Sequence, residues 1–148
     1  MRKLLIGLVT VCSVAVTCLC YAQSTTDSVA ESHIKANVPD SADFHTLMQR
    51  DLEAYFRKRA KVPVKVTYEL LRDGPTQTGI AYPKFYVWVN VTRAGKKIDE
   101  GAVRLAAIGK KCFDVTDFLS VIEIKGNPEA IYKVFPRPVC VKIMAKIK

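Results

Sequence analysis

Histidine occurs only twice in 148 residues, at His33 and His45. There is no His-x-x-x-His and no Cys-x-x-Cys, which excludes the ligand spacings of a zinc site. No Gly-x-Ser-x-Gly elbow and no phosphate-binding glycine loop is present, so neither hydrolase nor nucleotide-binding chemistry has its usual signature. No repeat or low-complexity tract interrupts the chain. Paired carboxylates occur at Asp99-Glu100 and at Asp114 with Asp117, as in almost any domain, and the adjacent residues Asp99 and Glu100 point to opposite strand faces and would not converge on one substrate. These absences point away from an enzyme and leave no catalytic residue, cofactor or metal to assign.

The N-terminus has a positive content of its own. Arg2 and Lys3 precede an apolar run from Leu4 to Leu19, and Cys20-Tyr21-Ala22 closes it with small residues at −3 and −1. That three-part pattern predicts a cleaved secretory signal over 1–22, with Gln23 as the new N-terminus. A membrane span needs about 20 strongly apolar residues. This run is shorter and carries Thr10, Ser13 and Thr17, so no stable membrane anchor is expected after cleavage. The expected location is the periplasm or the exterior.

Without Arg2 and Lys3 the net charge falls from +9 to +7. The main basic cluster, Arg57-Lys58-Arg59 with Lys61, stands where a helix should end and complements the helix dipole. No nucleic acid is needed to explain it. Three of the five cysteines (Cys12, Cys18, Cys20) leave with the signal, so Cys112 and Cys140 remain. In an oxidising compartment two cysteines are expected to pair. The bridge would close a loop of roughly 29 residues and contribute about 3.5 kcal/mol in the chain-entropy model.

Residues 23–39 are rich in Ser, Thr and Ala and read as a flexible lead to a single domain over 40–148. Phe44, Leu47, Met48, Leu52, Tyr55 and Phe56 then recur at helical spacing, with Asp40 or Ser41 as cap and Pro63 as limit. His45 falls beside this stripe and reads as a partly exposed helix residue. Period two follows in Val64–Leu70, in Phe85–Val91 and in Ala102–Ala107. Ser120-Val-Ile-Glu123 is a capping-box pattern, and Asn127-Pro128 restarts a helix. The alternation of Val139, Val141, Ile143, Ala145 and Ile147 predicts a fourth and last strand.

The expectation is thus an α+β domain: an N-terminal helix on a four-stranded antiparallel sheet, with a short helical excursion before the last strand. In element order it resembles the cystatin and NTF2-like rolls. The Gln-x-Val-x-Gly loop of cystatins is absent, so the resemblance carries over no site.

If Phe85, Val87 and Val89 face the core with Val103 and Leu105, a three-residue loop Ala94–Lys96 pairs Phe85 with Leu105 and Tyr86 with Arg104. A two-residue loop would set Arg104 on the core side, which is costly. The chosen register predicts an outer patch of Tyr86, Trp88, Arg104 and Met144, suited to binding. The polar connection from Arg72 to Gly79 is the second binding candidate, with Arg72 at its base. These features together suggest a secreted or periplasmic non-enzymatic binding protein of inhibitor, immunity or accessory type, with another protein as partner. The alternative is a small-ligand carrier, or a small hydrolase or isomerase, using a cavity between sheet and helix.

Overall fold

The computed structural model describes residues 27–147. The expected signal, 1–22, lies outside the described residues. Residues 27–37, inside the stretch expected to be a flexible lead, form helix α1. Its end is tied to the body: the Lys110 amide donates to the Asn37 carbonyl at 2.8 Å, and the Gly109 amide to Asn37 Oδ1 at 3.1 Å. Helix α2, Ser41–Ala60, follows the expected stripe and buries Met48, Leu52 and Phe56. Each such side chain contributes about 1.5–3 kcal/mol on burial. Lys61 ends the helix in the left-handed region, at φ 56°.

Strands β1 (Lys65–Leu70), β2 (Lys84–Arg93), β3 (Lys96–Ile108) and β4 (Cys112–Ser120) form one open antiparallel sheet in that order. β2 and β3 pair in the expected register: Phe85 faces Leu105, and Tyr86 faces Arg104. The offset arises differently from the expectation. The turn is the two-residue Ala94-Gly95, with Arg93 opposite Lys96, and the extra residue is Ile98, bulged between Lys97 and Asp99. Ala94 and Gly95 have φ 48° and 76°, the backbone that matches strand twist in a tight hairpin.

The fourth strand is β4, not the expected 139–147. Helices α3 (Val121–Gly126), α4 (Ala130–Val134) and α5 (Arg137–Lys146) follow it. Residues 139–147 carry two periods at once. The strand reading would bury Val141, which is 70% exposed. The helical reading buries Val139, Cys140 and Ile143, and Pro138 in the first turn suits a helix start. α3 begins with the expected capping box: Ser120 Oγ accepts from the Glu123 amide at 3.2 Å, and Glu123 Oε2 accepts from the Ser120 amide at 2.8 Å.

The sheet therefore has a core on each face. Toward α2 lie Val66, Phe85, Val87, Val89, Val103, Leu105 and Phe113. Toward the C-terminal helices lie Leu71, Tyr86, Trp88, Ala102, Ile124, Ile131, Val139, Cys140 and Ile143. This arrangement corrects the expected disulfide. Cys112 and Cys140 are both free thiols. Cys140 sits in the helical layer, where its thiol donates to the Phe135 carbonyl at 3.3 Å, and burial pushes its pKa up. Cys112 opens β4, and its thiol reaches the Ile108 carbonyl at 3.9 Å. No helix among the described residues is long and apolar enough to cross a membrane.

Candidate functional site

The expected outer patch is not a free surface. Tyr86 and Trp88 are 4% and 3% exposed beneath the C-terminal helices. Tyr86 OH bonds Thr76 Oγ1 at 2.6 Å, and Trp88 Nε1 donates to Glu100 Oε1 at 3.0 Å. Arg104 does not stack on an aromatic. Its guanidinium pairs with Asp117 at 2.6 Å and donates to the Val134 carbonyl at 3.1 Å, locking β3 and β4 to α4. Met144 is packed in the same layer. Arg72 donates to the carbonyls of Gly74 and Pro75 at 3.2 and 2.5 Å, so it braces its own loop. The structure thus uses Tyr86, Trp88 and Arg104 together in packing and places Arg72 apart from them.

The site the sequence reading missed is the edge of β1. In an antiparallel pair, alternate residues direct both backbone groups to the partner strand and the others direct theirs away. The Leu71 amide donates to the Tyr86 carbonyl at 2.9 Å, and Leu71 continues the register in which Lys65, Thr67 and Glu69 face Thr92, Asn90 and Trp88. Odd-numbered residues therefore bond β2, and Val66, Tyr68 and Leu70 turn their backbone groups outward. Gln49 fits this phase, since its Nε2 donates to the Val66 carbonyl at 2.6 Å from outside the sheet.

Beside this edge lies a groove of about 730 Å³ lined by His45, Thr46, Gln49, Thr67, Tyr68 and Leu70. His45 Nδ1 and Tyr68 OH are 2.7 Å apart, and their rings stack at 6.2 Å. Desolvation raises the Tyr68 pKa. His45 has no carboxylate partner among the described residues, so nothing orients it as a base. No group of three His, Cys, Asp or Glu among the described residues could hold a metal. What the site offers is backbone donors and acceptors next to an open, mainly apolar channel.

The other edge is defended. The Phe113 amide of β4 donates to Asp51 Oδ2 at 2.7 Å, Arg50 covers the Lys111 carbonyl at 2.9 Å, and β4 bulges at Thr116. Bulges and side-chain cover are how sheet edges are kept from pairing. Only position in the meander pointed to β1: the first strand of such a sheet is an edge by construction. No protein family, curated protein or solved structure matches the chain.

Proposed function

We propose that this is an exported, non-enzymatic binding protein of inhibitor, immunity or accessory type, which takes an extended segment of a protein partner onto β1. The observation that carries the reading is the outward backbone groups at Tyr68 and Leu70 beside an open groove, beyond the point where Gln49 covers the Val66 carbonyl. Strand addition draws affinity from such groups and specificity from the neighbouring side chains. A helix laid across a four-stranded meander keeps the cystatin or NTF2-like roll as the outline we favour. Export to the periplasm or exterior rests on the sequence pattern of 1–22. Against a small-ligand carrier or a small hydrolase or isomerase stands the filling of the helix–sheet interface by Met48, Leu52 and Phe56.

Proline at position 68 tests the reading. The Tyr68 amide points away from β2, so proline removes an edge donor without removing a ladder bond. The mature chain, used as bait on its own envelope extract, should retain a partner as wild type and as Tyr68→Phe, and lose it as Tyr68→Pro with melting little changed. A partner held equally by all three would place binding elsewhere.

A further inference from the structure

Folding gathers basic residues from separate segments at one pole of the molecule. The C-terminal turn of α2 carries Arg57, Lys58 and Arg59, and Lys61 follows it. Beside them the β2–β3 hairpin brings Arg93, Lys96 and Lys97, and β1 starts with Lys65 opposite Thr92. Arg59 Nε lies 3.9 Å from Asp99 Oδ2, which fixes the helix end against β3. The acidic groups here are already engaged. Asp99 faces Arg59, Glu100 is paired with Lys97 at 2.6 Å, and Glu123 is held in its capping box. Arg57, Lys58, Lys61, Lys65, Arg93 and Lys96 make no ion pair among the described residues.

Two isoleucines stand out of the same pole. Ile98 is the bulged residue next to the hairpin and is 46% exposed; Ile122, in the first turn of α3, is 83% exposed. They line one shallow groove with Lys97, Asp99, Glu100 and Val121. Bulges re-aim side chains, and this one sends an isoleucine outward. The exposed aromatics Tyr82 and Tyr132 belong to the β1–β2 connection and to α4. Stacking platforms for single-stranded nucleic acid use aromatic rings, whereas basic side chains around exposed aliphatic ones match an anionic bilayer interface.

We propose that this pole is a peripheral docking surface for anionic lipid bilayers, its basic rim over the headgroups and Ile98 and Ile122 entering the interface. It stands apart from the β1 edge and does not depend on the function proposed above.

Vesicle flotation tests it, using the chain from Gln23 to Lys148 so that the apolar run Leu4–Leu19 cannot partition. Vesicles of phosphatidylcholine with phosphatidylglycerol should carry the protein up, and pure phosphatidylcholine should not. Each lysine near such a surface contributes about a fivefold gain, so Lys58→Gln with Lys96→Gln should weaken partitioning about thirtyfold. Lys35→Gln with Lys111→Gln, the same charge change at the β3–β4 turn where α1 is tied down, at the opposite end of β3, should leave it nearly unchanged. Ile122→Ser should weaken it several-fold even at salt that screens the lysines. The proposal is overturned if anionic vesicles do not bind, or if both lysine pairs weaken binding equally. It is overturned too if short duplex DNA binds as tightly and Ile122→Ser has no effect.

Discussion

Gly101 is the point at which β3 and β4 leave no room for a side chain. A Cβ there would fall on the Leu119 carbonyl oxygen and lie 2.8 Å from both Phe118 Cε2 and Ser120 Cα. Backbone cannot yield as a side-chain tip can. Gly101→Ala should therefore destabilise by about 3 kcal/mol in urea titration, at the upper end of overpacking costs. Ala94 is the reverse case. Its φ of 48° costs an alanine about 1 kcal/mol that asparagine or glycine avoids. Ala94→Asn should raise stability by about 1 kcal/mol in the same titration. A smaller midpoint than wild type would mean that the hairpin takes another turn in solution.

Among the elements, β1 and α3 make checkable statements. If the odd residues of β1 bond β2, the amides of Thr67 and Glu69 exchange slowly and those of Tyr68 and Leu70 quickly; hydrogen exchange reads this residue by residue. Hydrogen bonds from the Ser120 backbone, then from its hydroxyl, hold the Glu123 pKa below the usual carboxylate range. A folded value below the unfolded one gives stability that is present above the unfolded pKa and is lost as pH falls through the folded one. Melting temperature should therefore fall in acid, and Glu123→Gln should flatten that fall. Much of this layout was legible in the sequence. The Phe85–Leu105 register followed from the cost of burying Arg104, although the spare residue went into a bulge at Ile98 and not into the turn. β4 was missed because the bulge at Thr116 breaks its alternation: Val115 and Phe118, three apart, both reach the α2 core. That miss led the reading to seek its fourth strand in 139–147. The supposed open face depended on that strand, whereas the supposed disulfide rested on the expected export to an oxidising compartment. The β1 edge was visible as an edge, but its groove comes from how α2 lies, which spacing alone does not state.

At the scale of the whole molecule, the sheet is covered by α2 on one side and by α3, α4 and α5 on the other. The chain's only tryptophan, Trp88, lies under the second cover, with Lys146 Nζ 5.9 Å from its ring centre. A chain stopped after Ser120 should keep strand content by circular dichroism while tryptophan emission moves to the red and aggregation rises. Unchanged emission would mean that the helical layer does not shield Trp88. The same feature sets an order in time. Synthesis runs from the N-terminus and folding can begin before it is complete. The half built by α2 and the four strands is finished when Ser120 is added, and Tyr86 and Trp88 then wait uncovered for the helices encoded after them. During that interval the nascent molecule carries an adhesive face that the mature one conceals.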